Sequence, residues 1–361
     1  MRRVTTAWLA ALRRFFAGGP TPDARFTSQK GAAARDGGRV PAGTAAPDPR
    51  SSARFAGEPA SPVQAPHAQP GPFEGSADRR FSALLLGVAA LRATNVDPVE
   101  QQMIERIRDL AHDSAEPNLL PRLPVVLPRL ISIVRRDDVA ARELADRLSL
   151  DPTLVGEVVR LANSPRYRTS REISDLQDAV LLLGQRGLIQ IVIAATMRPI
   201  FDAQHGRFSR IAGTLVWDLA QRRSAACAAL CDETDRFHAF LAGMVADIGM
   251  IVALRVLDDQ YTQARAPDTE AFHDGLADAV ARLSGRIARQ WDFHARVCAA
   301  VERRAGSRLI GKDDDLARAL RTADRVSKFH LLAPGLAGAA LDPLSEPERQ
   351  CYVELERSFG G

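Results

Sequence analysis

Apolar residues recur at helical spacing through most of the chain beyond residue 80. Leu84, Leu85, Val88 and Leu91 form one face, and Val99, Met103, Ile104, Ile107 and Leu110 form a second. Asp97 before Pro98 predicts an N-cap with proline at the first helical position. Val125, Leu127, Leu130, Ile131 and Val134 make the next stripe, followed by Leu144 and Leu148. Asp151-Pro152 then opens a helix carrying Leu154, Val155, Val158, Val159 and Leu161. Ser174 with Gln177 three residues later reads as a capping box for a helix ending near Gly184. Ile189 to Ile193 looks buried, and later helices are expected over about 208–230, 235–257, 270–290, 293–305 and 313–332. No segment alternates with the period of a strand, so the predicted class is all-α.

The start of the chain differs. Residues 4–17 combine Val4, Trp8, Leu9, Leu12, Phe15 and Phe16 with Arg2, Arg3, Arg13 and Arg14. This is the pattern of a short basic amphipathic helix suited to a membrane surface or a partner groove, although a frayed terminus explains the same residues. Arg13 and Arg14 interrupt the apolar stretch, which argues against a secretory signal. Residues 18–78 are rich in Pro, Gly, Ala and Ser. They bury too little apolar surface to offset chain entropy and are expected to form a disordered linker.

Charge follows the same division. Residues 1–80 hold 12 Lys+Arg against 6 Asp+Glu, a net of +6, whereas the remainder holds 36 against 38, a net of −2. A folded part so close to neutrality is a poor match for the phosphate backbone of nucleic acid. Cys227 and Cys231 lie at i, i+4 spacing in an Ala-rich helix, not in a zinc knuckle. With Cys298 and Cys351 they are expected to be reduced, buried thiols, which suits a cytoplasmic protein. No apolar run reaches the length of a membrane span, so none is expected.

Two chemistries deserve a test on spacing. Residues 139–163 imitate a helix-turn-helix, but the second helix would present only Thr153, Gly156, Glu157 and Arg160 to a major groove. That surface is thin and partly acidic where several Arg, Asn or Gln side chains are needed. Metal-dependent phosphohydrolysis needs a His, an adjacent His-Asp pair and a further Asp converging on one or two cations. The dipeptides His112-Asp113 and His273-Asp274 are available, and the second combines on spacing with His238 and Asp324. On spacing alone, surface histidines are the favoured explanation of these residues.

A specific resemblance cuts across these readings. Leu120-Pro121-Arg122-Leu123-Pro124, Leu150-Asp151-Pro152-Thr153-Leu154, Leu161-Ala162-Asn163-Ser164 and the helix end from Ala179 to Gly184 resemble the motifs of the HDOD (HD-related output) domain. The similarity runs on through Phe240 to Gly249 and ends around Gly285 and Trp291. In metal-keeping relatives the segment before Ile248-Gly249 would carry His-Asp, and here it reads Ala246-Asp247. The upstream helix, Leu215 to Leu219, has no histidine either, and Arg303 and Arg304 stand where later histidines would be expected.

The resemblance therefore implies a two-lobed, all-helical HDOD bundle over residues 118–335, degenerate in its HD-like half. A helical lead-in at 79–117 would precede it and a tail helix at 336–361 would follow. It further implies a non-enzymatic signal-transduction module that uses no cofactor or metal. Its partner would be a protein, for example one of a two-component or cyclic-di-nucleotide signalling pathway. Arg166, Tyr167, Arg168 and Arg171 are the candidate contact surface. Asn163, Ser164, Gly184, Asp247, Gly249 and Trp291 are motif positions with an expected structural role. For Asn163 that role is a helix cap, and for Asp247 it is pairing with an arginine inside the bundle.

Overall fold

The computed structural model describes residues 77–95, 97–112, 120–124, 127–128, 152–164, 167, 171–202, 206–232, 234–305, 315–342 and 344–359. The expectations for residues 1–76, for most of 125–151 and for Arg166 and Arg168 lie outside these residues. The described chain forms α1 (Ala77–Leu86), α2 (Pro98–Asp109), α3 (Pro152–Ala162), α4 (Leu176–Phe201), α5 (Ser209–Ala229) and α6 (Arg236–Val245). These are followed by α7 (Ile248–Gln260), α8 (Glu270–Gln290), α9 (Ala295–Glu302), α10 (Asp315–Leu332), a 3-10 turn (Gly338–Leu341) and α11 (Glu346–Phe359). Among the described residues the only extended pairing is an isolated parallel bridge between Arg92 and Thr269. The class is all-α, as expected.

The architecture has two lobes. Helices α3 and α4 pack on each other, and α4 joins them to α5. The second lobe packs α5 against α6 and α10, and α8 against α2, α7 and α9, with α11 lying along α10. The first two helices belong to this lobe, because α1 packs on α8 and α10 and α2 packs on α8. Asp97 caps α2 as expected, its carboxylate accepting the N–H groups of Val99 and Glu100 at 2.9 Å. The buried Glu100 carboxylate in turn accepts the Asp268 N–H at 2.8 Å and the Thr269 hydroxyl, which pins α2 to the start of α8.

Three expectations are corrected. The cap of α4 is Asp175, whose carboxylate accepts the Asp178 N–H at 2.8 Å, and Ser174 instead donates its hydroxyl to Asp178 at 2.6 Å. A carboxylate one residue nearer the helix displaces the serine from the capping role. Gly184 leaves helical geometry at φ 70°, a conformation glycine adopts without a Cβ clash, but the chain resumes as helix directly and runs to Phe201. The single helix expected over 235–257 is two, broken at Ala246-Asp247.

Two helical stretches, Leu176–Phe201 and Arg236–Gln260, reach the length and mean hydropathy of a membrane span although their apolar residues are interrupted by polar ones, which corrects the expectation of none. In the second, 94% of the most apolar window is buried inside the bundle, and each stretch contains one of the breaks just described. The four cysteines are unpaired, and burial pushes the Cys351 thiol up to about 12.

Two histidines are sealed into this lobe. His273 Nδ1 lies 2.6 Å from the Ser82 hydroxyl and Nε2 lies 3.2 Å from the Pro267 carbonyl, so the neutral ring ties α1 to α8. His330 accepts from Arg222 Nε at 3.2 Å. Burial lowers both pKa values, that of His330 to about 4 with Arg222 adding to the effect. The unfolded chain then binds protons that the folded chain refuses. The stability each neutral ring contributes is complete above pH ~6.5 and is lost, at ~1.4 kcal/mol per pH unit, as pH falls toward the folded value. Denaturant titrations at pH 7.5, 6 and 5 should give steadily falling unfolding free energies. A flat profile over that range would show that the rings protonate freely.

Candidate functional site

The charged centre of the second lobe starts from a close crossing of two helices. A Cβ on Gly243 would sit 2.5 Å from Ser224 Cα and 2.8 Å from the Arg223 carbonyl, so only glycine lets α6 lie against α5 at this depth. That approach brings the Gly243 carbonyl to 2.9 Å from Arg223 Nε and buries the whole guanidinium. Gly249 does the same at the next junction. A side chain there would meet the Val280 carbonyl at 2.8 Å, and the Gly249 N–H instead donates to the Ser284 hydroxyl at 3.0 Å. Between these two contacts the chain breaks, and Asp247 turns inward at the start of α7.

Asp247 meets a ring of cations. Arg223 Nη1 donates to Asp247 Oδ2 and, at 2.6 Å, to Asp324 Oδ1. Arg304, just beyond α9, reaches Asp247 Oδ1 at 2.9 Å, Asp324 Oδ2 at 3.0 Å and the Ala246 carbonyl at 2.6 Å. Lys328, one helical turn after Asp324 on α10, donates to Asp324 Oδ2 at 2.7 Å and to Asp78 at the start of α1. All except Asp78 are nearly inaccessible to solvent. Burial alone would push the two inner carboxyls up. Arg223, Arg304 and Lys328 outweigh it and hold Asp247 and Asp324 well below the usual carboxylate range. Their contribution to stability is therefore complete above pH ~4 and is lost only as pH falls below that.

The motif positions of the first lobe form a separate group. Asn163 does not take the left-handed cap geometry expected of it. Its side chain donates to the Ile173 carbonyl at 2.7 Å and accepts the Ile173 N–H at 2.8 Å, closing the loop between α3 and α4 like a short sheet rung. The Ser164 hydroxyl returns to the Leu161 carbonyl at 2.6 Å. Tyr167 is half-buried against the core, whereas the exposed Arg171 reaches Asp178 at 2.5 Å. Trp291 is buried and donates from Nε1 to the Pro121 carbonyl at 3.0 Å, joining the end of α8 to the first family motif. Arg160, the cation of the helix-turn-helix reading, is paired side-on with Glu157 at 2.5 and 2.9 Å.

The alternative metal set is not brought together. His273 is spent on Ser82 and Pro267, and Asp274 accepts both arms of Arg79 at 2.5 and 2.6 Å. His238 stacks on His294 with ring centroids 4.6 Å apart, and Asp324 lies in the cation ring. Asp113 lies outside the described residues, and its neighbour His112 is exposed at the end of α2. Among the described residues no three His, Cys, Asp or Glu side chains converge as a metal ligand set.

The HDOD domain model matches residues 120–305, just over half of the 361-residue chain. The chain belongs to the HDOD family. Solved structures similar to this HDOD protein include a candidate metal-dependent phosphohydrolase from Shewanella amazonensis SB2B. It is 20% identical with a TM-score of 0.51, covering 73% of this chain and 100% of that one. A candidate signal transduction protein from Marinobacter aquaeolei VT8 is 17% identical with a TM-score of 0.51, covering 73% and 65%. An HDOD domain protein of unknown function from Geobacter sulfurreducens is 19% identical with a TM-score of 0.46, covering 72% and 90%. At these identities the likeness is one of fold. No curated protein matches the chain.

A divalent cation of the kind a phosphohydrolase would use does not fit the carboxylates of this HDOD protein. Every oxygen of Asp247 and Asp324 already contacts Arg223, Arg304 or Lys328. A metal ion would have to approach three fixed positive charges, and Ala246 offers no imidazole to help hold it. Pairing of Asp247 was foreseen from the sequence, but Arg223 and Lys328 were not. The i, i+4 spacing of Asp324 and Lys328, in a chain with few lysines, was the available signal. Arg223→Met should cost about 3–5 kcal/mol by removing the cation that two buried carboxylates share, far more than Arg160→Met on the exposed face of α3, as denaturant titration would measure. Equal small losses would mean that the cluster is solvated.

Proposed function

We propose that this HDOD protein is a non-catalytic output or adaptor module of a bacterial signalling pathway, working in the cytoplasm by protein–protein contact. The observation that carries this reading is the saturation of Asp247 and Asp324 by three side-chain cations. Residues in that state are held ionised with their lone pairs engaged, so they are poor metal ligands and poor general bases. A signalling role agrees with the family and with the name given to the Marinobacter relative. The docking surface would be the loop between Asn163 and Ile173. Its ends are fixed by the Asn163 side chain, and it carries Arg166, Tyr167, Arg168 and Arg171. Loop ends held in this way lower the entropy that docking costs. An acidic surface on a two-component or cyclic-di-nucleotide signalling protein is the matching partner.

Two measurements test the reading. The purified full chain, incubated with Mn(II) or Mg(II) and either bis-p-nitrophenyl phosphate or a cyclic dinucleotide, should turn over no faster than Asp247→Asn. Metal-dependent hydrolysis abolished by that substitution would establish a hydrolase instead. Affinity capture with the full chain should recover a discrete signalling protein, with recovery falling at least tenfold for Arg171→Glu. Recovery of DNA alone, or of the same proteins by both baits, would sink the docking surface.

A further inference from the structure

The ionic cluster balances only because of a residue at the edge of the domain. Arg223, Arg304 and Lys328 bring three positive charges, and the two inner carboxylates, Asp247 and Asp324, bring two negative ones. The third negative charge is Asp78, whose side chain is 51% exposed while Lys328 beneath it is 6% exposed. Its charge also acts on Arg304. The cluster has a second mark of incompleteness. Nη2 of the fully buried Arg223 has no hydrogen-bond partner among the described residues. That donor belongs to the same nearly dry cluster as Arg304 and Lys328.

Asp78 lies at the second position of α1, the helix that directly follows the Pro- and Gly-rich arm. Polar ties hold that helix at its N-terminal half. Asp78 pairs with Lys328, Arg79 reaches Asp274 and Glu270, and the Ser82 hydroxyl faces His273. Two of these ties are partly exposed, so a competing ion needs to displace only Asp78 to reach the ammonium. Lifting the start of α1 would leave the buried cluster with one uncompensated positive charge.

We propose that the Lys328–Arg304 end of this cluster is a binding site for a small phosphate-class oxyanion, which the chain's own Asp78 fills as an intramolecular competitor. The ligand is a free ion or a small phosphomonoester, because Lys328 and Arg304 lie too deep to admit a phosphorylated segment of another protein. Binding would exchange the Asp78 carboxylate for an anion of equal or greater charge and release the start of α1 toward the arm. Phosphate occupancy would thereby be coupled to the position of residues 77–86. This coupling needs no metal and no turnover, and it stands apart from the choice of docking partner.

The test uses the full chain with inorganic phosphate against chloride at matched ionic strength. Asp78→Asn, a change at a half-exposed site, should bind phosphate at least tenfold more tightly than the parent by isothermal titration. The gain should vanish in Asp78→Asn combined with Lys328→Met. In the parent, phosphate should speed amide exchange within residues 77–86 without speeding it in α10. Equal phosphate affinity in the parent and in Asp78→Asn would overturn the proposal. So would an affinity gain that survives the loss of Lys328, or unchanged exchange in α1.

Discussion

One fully buried guanidinium sets the arrangement of the second lobe. Arg223 has no solvent exposure, and its Nη1 is shared between Asp247, at the junction of α6 and α7, and Asp324, in the middle of α10. A charge removed from water costs several kcal/mol unless its partners are placed to recover that cost. The sequence therefore has to deliver two carboxylates, from segments 24 and 101 residues away, to one nitrogen. Everything nearby follows from that demand. The glycine at 243 lets α6 come close enough for its carbonyl to take Arg223 Nε, and the break at Ala246-Asp247 turns the carboxylate inward. Arg304 closes the remaining sides of both acids. Such a network is weak evidence for added stability, but it leaves few registers in which α5, α7 and α10 can pack.

The same demand can in principle be met by a metal ion or by the chain itself. Two acidic residues that face each other across a bundle repel unless something positive lies between them. A divalent ion supplies that charge from solution, so the structure built on it depends on metal supply and keeps an exchangeable position for chemistry. Arginine supplies it from the chain. The charge is then permanent, because a guanidinium does not lose its proton at any physiological pH, and both oxygens of each carboxylate are occupied. A centre of this kind is suited to holding helices in register.

How far the sequence discloses this depends on the range of each interaction. Helix positions and the all-α class are local properties, so periodicity finds them, as it did the Asp97 cap of α2. The cap of α4 was misassigned by one residue because Ser174 and Asp175 are both competent, and only the loop geometry decides between them. The break inside the expected 235–257 helix had no Pro or paired Gly to announce it. Its cause is the pull of Arg223 and Arg304 on Asp247, which is tertiary. Asn163 illustrates the same limit. A cap at its own helix end was the local reading, yet its partner is the backbone of Ile173, ten residues on. Arg223 was the least legible, since it follows Arg222 on a helix with many polar residues, and nothing local says that one of the two adjacent arginines is buried completely while the other faces His330 and Phe359.

The physical unit is also larger than the family match. Residues 120–305 contain Arg223, Asp247 and Arg304, but Asp324 and Lys328 come from α10 and Asp78 from α1, both outside those limits. A fragment cut at residue 305 would keep two buried guanidiniums and a single carboxylate. The ionic cost of burying Arg304 beside Arg223 would then have no second acid to offset it. Helix α1 is anchored to α8 through Arg79 and Ser82, and α2 through Glu100, so the segment before the family match shares the same core. The charge count thus marks an extent that sequence similarity does not: the folded unit reaches at least from Asp78 through Lys328.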